Sequence, residues 1–311
     1  MAQGVSRRRF LLGAGLSGLV ARAPWVFADS AGTASGAPIT RVIPSTGEAL
    51  PAIGMGTWIT FNVGGDAYLV EQRTRVLETF LAAGGTLVDC SPMYGSSAEV
   101  LGEALRTLNA RDRVFAATKI WTSDESATER QAEASRQKWG VRRFDLLQVH
   151  NLLGWPGHLD SLKAMKARGE LRYLGITTSH GRRHGELARI MASEPLDFVQ
   201  LTYNLFDREA EERLLPLAQE RGIAVIVNRP FQGGALFRRL QSRPLPTWAE
   251  AFGVRTWAAF FLKFVLGHPA VTCAIPATSQ VAHMQENMAA LYGELPDRSQ
   301  RERMLAYVRS L

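Results

Sequence analysis

Residues 86–108 read TLVDCSPMYGSSAEVLGEALRTL, a short apolar run followed by a stretch with helical spacing. TLVDCS has the length and apolar density of a strand buried on both faces, and SSAEVLGEALRTL places its apolar residues on one side of a helix. The couplet recurs along the chain. Strand candidates are AIGMGTW (52–58), TLVDCS (86–91), VFAATKIW (114–121), DLLQVHN (145–151), YLGITT (173–178), FVQLTY (198–203), AVIVNRP (224–230) and VTCAIP (271–276). Between them lie helical patterns such as YLVEQRTRVLETFLAAGG (68–85), REAEERLLPLAQERG (208–222) and RTWAAFFLKFVLGHP (255–269), several closed by glycine.

Parallel strands need crossover helices, so eight strand–helix couplets predict an α/β fold, a (β/α)8 TIM barrel forming a single domain over residues 39–311. TRVIPSTGEALP (40–51) precedes the first couplet and is expected to form an N-terminal β-hairpin turning at Ser45 to Gly47 and closing the bottom of the barrel. Extra helices are expected at the C-terminus. A doubly wound sheet would carry a G-x-G-x-x-G turn after its first strand, and none occurs there.

The bulk numbers agree with one large domain. The chain has 311 residues, 46% of them hydrophobic and 21% charged, enough for a sizeable core. Four of the arginines behind the +7 net charge, Arg7, Arg8, Arg9 and Arg22, sit in the acid-free residues 1–28, leaving +3 for the remainder. Without basic blocks interleaved with aromatics or a zinc-finger spacing, nucleic acid is not an expected partner. Cys90 and Cys273 each lie within an apolar run, the usual place for a buried thiol.

Residues 1–28 have a basic start, an apolar stretch from Phe10 to Ala21 and the ending VFA before Asp29. These are the three parts of a secretory signal, and the apolar stretch is short for a membrane span. SRRRFLL resembles the twin-arginine (Tat) signature, with Ser6, Arg7, Arg8, Phe10 and Leu11 in place and Gly13, Gly15 and Gly18 diluting the hydrophobicity. The expectation is export to the periplasm in a folded state by the Tat machinery, or an inner-membrane tether if the signal is retained. Residues 29–38, DSAGTASGAP, read as a flexible linker.

In a parallel barrel the chemistry gathers at the C-terminal ends of the strands. Those ends hold Asp89, Lys119, His150 and Gln200, with Tyr94 in the loop after Asp89. A tyrosine phenol, titrating near about 10, needs neighbours to act as a proton donor at neutral pH. A lysine beside it favours phenolate, a carboxylate keeps that lysine charged, and a histidine can hydrogen-bond a substrate oxygen. Asp89, Tyr94, Lys119 and His150 supply those parts.

With these residues in view, the chain resembles the aldo/keto reductase family over residues 39–311. GMGTW (54–58), VDCSPMYG (88–95), ATK (117–119), LLQVHN (146–151), QLTYNLFDR (200–208) and IPATSQVAHMQEN (275–287) match family blocks in order. The resemblance implies a reductase of aldehydes or ketones, or the reverse dehydrogenase, in which Tyr94 is the general acid, Lys119 tunes it, Asp89 pairs with the lysine and His150 orients the carbonyl. It implies a nicotinamide cofactor, with NADP(H) ahead of NAD(H). Thr57, Trp58, Thr177, Gln200, Asn228, Arg229, Phe231, Thr278, His283, Glu286 and Asn287 fall at the family's cofactor-binding positions.

Three positions depart from the family pattern. Thr177 and Thr178 stand where Ser-Asn is frequent, Asn228 where a tyrosine often stacks on nicotinamide, and Ala277 and His283 where many members carry Lys and Arg for the 2′-phosphate. His283, Thr278 and Arg229 remain for that charge. The competing reading is a dinucleotide-binding sensor or accessory subunit on the same barrel. Repeated turnover after export would call for a second substrate, a redox partner that recycles the cofactor, or a retained signal that leaves the barrel facing the cytoplasm.

Two weaker signals complete the reading. HGRRH (180–184) sets His180 and His184 four apart, the spacing of a metal pair on a helix, but no third ligand is apparent and no metal is expected. NLLGWPGH (151–158), Trp58 and Trp121 point either to an apolar substrate mouth or to loop packing. No GxSxG or HExxH motif supports a hydrolase.

Overall fold

The computed structural model describes residues 36–311, so the expectations for the export signal and most of the linker lie outside the described residues. The chain opens with a hairpin of β1 (Thr40–Val42) and β2 (Ala49–Pro51), paired antiparallel with Val42 opposite Ala49. Its turn runs over residues 44–46, and Gly47 completes it at φ 74°, a left-handed conformation in which glycine meets no steric penalty.

Eight parallel strands follow: β3 (Met55–Gly56), β4 (Leu87–Asp89), β5 (Phe115–Ile120), β6 (Phe144–Val149), β7 (Leu171–Thr177), β8 (Phe198–Thr202), β9 (Ala224–Asn228) and β10 (Val271–Ala274). They hydrogen-bond in chain order from β3 to β10. Bridges Ile53–Ala274 and Gly56–Ala277 bring the first strand to the last, so the sheet closes into the expected (β/α)8 barrel. Close approach at this seam depends on glycine, since a Cβ on Gly56 would lie 2.9 Å from the Ile275 carbonyl oxygen.

The helices are α1 (Ala67–Ala82), α2 (Ser97–Thr107), α3 (Thr128–Trp139), α4 (Trp155–Ala167), α5 (His184–Ser193), α6 (Leu214–Arg221), α7 (Ala235–Leu240), α8 (Trp257–Leu266), α9 (Val281–Ala289) and α10 (Arg298–Ser310). Their apolar stripes cover the outer face of the sheet in one continuous core. Asp66 caps α1 through Leu69 N at 3.0 Å, and Gly140 and Gly222 end α3 and α6 in left-handed conformations. The α6 segment starts later than its apolar pattern predicts, at Leu214. That start places Pro216 in the first turn, where a missing N–H removes no helical bond.

A second, smaller core fills the barrel interior at its lower end. Ile43 and Leu50 of the hairpin pack there with Leu87, Phe115, Tyr173 and Phe198. The hairpin therefore plugs the bottom, as expected, and leaves the C-terminal ends of the strands open to carry a site. Two helices exceed the basic repeat, α7 in the connection after β9 and α10 at the C-terminus.

Candidate active site

A cavity of about 1290 Å³ opens at the C-terminal ends of the strands. Every residue that the sequence assigns to the site lines it except Lys119, which lies beneath its floor with its side chain fully buried. The cavity is larger than the roughly 300–1,000 Å³ of ordinary small-molecule pockets, which suits an extended ligand with a second molecule beside it.

Asp89 is the hub of the floor. Its Oδ2 accepts from Lys119 Nζ at 2.5 Å, its Oδ1 from Gln200 Nε2 at 2.9 Å and Gln148 Nε2 at 3.3 Å, and its carbonyl oxygen from Thr57 Oγ1 at 2.9 Å. Strand alternation explains the convergence: Asp89, Lys119, Gln148 and Gln200 point from β4, β5, β6 and β8 toward the barrel axis. Burial by itself pulls the Lys119 ammonium down, but the Asp89 carboxylate prevails and holds it above the usual lysine range.

Lys119 Nζ also donates to Cys90 O at 3.0 Å and lies 5.2 Å from the centroid of the Tyr94 ring. Burial pushes the Tyr94 phenol up to about 12, while the nearby ammonium draws it back. The expected acidifying lysine is thus in place, yet burial outweighs it, and the phenol stays protonated through the neutral range.

His150 stands edge-on to Tyr94, with ring centroids 5.9 Å apart. Its Nδ1 is 2.9 Å from Ser91 Oγ, which accepts from Met93 N at 3.2 Å. In the tautomer where Ser91 Oγ–H donates to Nδ1, the ring proton resides on Nε2 and is free to meet an acceptor in the cavity. Burial, helped by Lys119, lowers the imidazole to about 3, and His150 is a neutral hydrogen-bond donor at pH 7.

The walls carry signs of a built site. Non-glycine residues with positive φ concentrate here: Ile59, Asn151, His180, Arg183, Arg229 and Gln232 all line the cavity. Ile59 at φ 65° is a β-branched residue in the left-handed region, a conformation kept where surrounding structure enforces it. Thr178 Oγ1 is buried in the wall without a hydrogen-bond partner, and among the described residues the Arg229 and Arg238 guanidiniums have no carboxylate within ion-pair distance. An orphaned hydroxyl and free cations in one concave surface fit an anionic, hydrogen-bonding ligand.

Several expectations are sharpened. Asn228 is held by its neighbours, Nδ2 donating to Thr178 O at 2.9 Å and Oδ1 accepting from Thr202 Oγ1 at 2.6 Å, so it ties the ends of β7, β8 and β9 together. Trp58 lines the cavity, whereas Trp121 and Trp155 do not. His180 sits in a loop with Nδ1 on Ser179 Oγ at 2.7 Å, and His184 begins α5; among the described residues no group of three or more His, Cys, Asp or Glu side chains is placed to hold a metal. Ser91 and Gln148 were not anticipated. Both occupy strand-end or inward positions beside predicted residues, a signal the strand rule contains.

The aldo/keto reductase family model matches residues 52–302, the span that builds the barrel and this cavity. The chain belongs to the aldo/keto reductase family. It is 29% identical over 268 residues to methylglyoxal reductase YeaE of Escherichia coli, covering 82% of this chain and 90% of that protein. Aldo-keto reductase YhdN of Bacillus subtilis is 30% identical over 207 residues, 60% of each chain. Among solved structures, an aldo-keto reductase from Klebsiella pneumoniae in complex with NADPH superposes with a TM-score of 0.73 at 26% identity, covering 88% of this chain and 95% of that one. The protein is therefore an aldo/keto reductase, an oxidoreductase by family.

Proposed function

We propose that this aldo/keto reductase reduces a small aldehyde or ketone with NADP(H), Tyr94 giving a proton to the carbonyl oxygen. The observation that carries the proposal is the arrangement of Asp89, Lys119, Tyr94 and His150 on the cavity floor. The cofactor, when bound, supplies the hydride. Tyr94 O–H and His150 Nε2–H both serve as donors to the carbonyl oxygen, polarising it as negative charge develops. Lys119, kept charged by Asp89, stabilises the phenolate left behind.

Thr57, Trp58, Thr177, Gln200, Asn228, Arg229 and Phe231 are assigned to the nicotinamide and phosphate end of the cofactor, and Thr278, His283, Glu286 and Asn287 to the adenosine end. The cavity lining and the orphaned Thr178 hydroxyl support that assignment. A relative described as methylglyoxal reductase and another as an NADH-specific methylglyoxal reductase make a small dicarbonyl the first substrate to try and leave both cofactors in play. The test is consumption of NADPH or NADH by purified protein with methylglyoxal and a panel of simple aldehydes. No turnover with any of them, together with tight dinucleotide binding, would instead support the sensor reading.

We propose further that the barrel loads its cofactor in the cytoplasm and leaves folded through the Tat machinery. Ser6 to Leu11 and the flanking residues support this. Mass spectrometry of protein from the periplasmic fraction tests it. A chain beginning near Asp29 with bound dinucleotide is expected, and absence of the protein from that fraction would refute the route. Repeated turnover there calls for a second substrate or a redox partner that regenerates the cofactor.

A further inference from the structure

The barrel closes through few bonds where its first strand meets its last. β3 has two residues, and closure rests on the bridges Ile53–Ala274, just before β3, and Gly56–Ala277, just after β10. Gly54 N donates to Ala274 O at 2.8 Å, Ala274 N to Ala52 O at 2.9 Å, and Gly56 N to Pro276 O at 3.0 Å. Past Gly56 the two chains separate into loops that form opposite sides of the cavity. Thr57, Trp58, Ile59 and Thr60 line one side, and Ala277, Thr278 and Ser279 the other.

One side chain crosses this gap. Arg73, in the second turn of α1, donates through Nε to Thr60 O at 2.6 Å and through Nη1 to Ser279 O at 3.1 Å. Among the described residues, no other hydrogen bond joins the two loops beyond Gly56, and no carboxylate lies within ion-pair distance of the guanidinium. The fork of a planar guanidinium suits two carbonyls held at a fixed separation, a geometry that a lysine, with its single rotating head, does not impose. Half-buried against the helix, Arg73 spends its donors on backbone, which is the behaviour of a group that sets loop positions.

We propose that Arg73 is a positioning residue that clasps the seam of the barrel and holds the two loops at the spacing a bound dinucleotide requires. The proposal rests on the cofactor reading given above. It places Arg73 outside contact with cofactor or substrate and makes it act through Thr60 and Ser279 on the walls that carry Thr57, Trp58 and Thr278. Loss of the clasp lets the walls part, and its signature is faster dinucleotide release with an unaltered chemical step.

The experiment uses the purified full chain. Dinucleotide dissociation is followed by stopped-flow protein fluorescence for wild type, Arg73→Met, Arg73→Lys and, as a control on the same helix, Arg75→Met. Arg75 is an exposed residue paired with Glu71. Arg73→Met is expected to release NADPH about tenfold faster, with Arg73→Lys intermediate and Arg75→Met unchanged, as loss of two charge-assisted bonds should give. Single-turnover carbonyl reduction at saturating NADPH is expected to stay within about twofold of wild type for all of them, because the floor is untouched.

Release from Arg73→Met at the wild-type rate, or equal acceleration in Arg75→Met, overturns the clasp. If Arg73→Met does not fold, Arg73→Lys decides alone, and a wild-type release rate in that variant counts against the proposal. Wild-type protein that binds neither NADPH nor NADH overturns the cofactor reading and the clasp with it, whereas wild-type binding with an indifferent Arg73→Met overturns the clasp only.

Discussion

Lys119 Nζ lies 2.5 Å from Asp89 Oδ2, with the two side chains 0% and 2% exposed. Such a pair gains Coulomb energy in a medium of low dielectric but has given up the hydration of both ions. Removing one partner strands the other. Asp89→Asn is expected to lower the unfolding free energy by about 3–5 kcal/mol, and the double variant Asp89→Asn with Lys119→Met to recover part of that loss. Chemical denaturation measures both; an Asp89→Asn protein within about 1 kcal/mol of wild type would contradict the buried-pair account.

Tyr94→Phe deletes the proposed proton donor and leaves the cavity walls intact. The rate of carbonyl reduction should fall by about 10²–10⁴-fold with dinucleotide affinity nearly unchanged. Single-turnover kinetics alongside fluorescence titration separates the two quantities. Wild-type activity in this variant would remove Tyr94 from the mechanism.

The two reaction directions should answer pH differently. With the phenol raised to about 12, Tyr94 is protonated across the working range, so carbonyl reduction is expected to be flat from neutral pH into the mildly alkaline range. Alcohol oxidation needs phenolate as the proton acceptor, and its rate should climb with pH throughout. Initial rates in both directions between about pH 6 and 10 provide the check. A reduction rate that falls steeply near neutrality would mean a phenol far more acidic than this burial implies.

Stability should also follow pH through the histidines. His150 and His268 are lowered to about 3 and about 4, in each case chiefly by burial, with a nearby cation adding to it. The unfolded chain binds protons at these sites near about 6.5 and the folded chain does not. Their stabilising contribution is complete above about 6.5 and is lost as the pH falls toward the folded values, at up to about 1.4 kcal/mol per pH unit for each. Urea midpoints at pH 7.5 and pH 5 should therefore differ in favour of the higher pH, and equal midpoints would exclude neutral buried histidines.

Cofactor choice is testable at His283, which lines the cavity from α9. A guanidinium there adds a fixed positive fork where the family often keeps one. His283→Arg is expected to tighten NADPH binding about tenfold and to leave NADH binding alone. Equal changes for both would place the 2′-phosphate elsewhere.

The fold was legible because its signal is local and repeated. Strands such as FAATKI and FDLLQV are covered on both faces, so their apolar runs survive in the sequence without decoding. The floor was legible for a related reason, since strand ends in a barrel are forced to face one mouth and Asp89, Lys119 and His150 each end or nearly end a strand. Orientation was not legible. Trp121 and Trp58 both follow strands, yet only Trp58 turns inward, a choice made by loops whose shape depends on neighbours far along the chain. Arg73 was invisible for the same reason: its two acceptors are backbone atoms 13 and 206 residues away, and a helix pattern records only that the side chain is polar.

The seam sets a timetable for the chain. Ile53 pairs with Ala274, and Ile39 N donates to Leu291 O at 2.7 Å, so the first elements to emerge during synthesis find their partners among the last. Until then β3 is an edge with open backbone valences, and the hairpin has no closed barrel to plug. Closure of the barrel therefore waits on β10 and on the segment that reaches Leu291, and a chain cut before them keeps β3 as an unpaired edge.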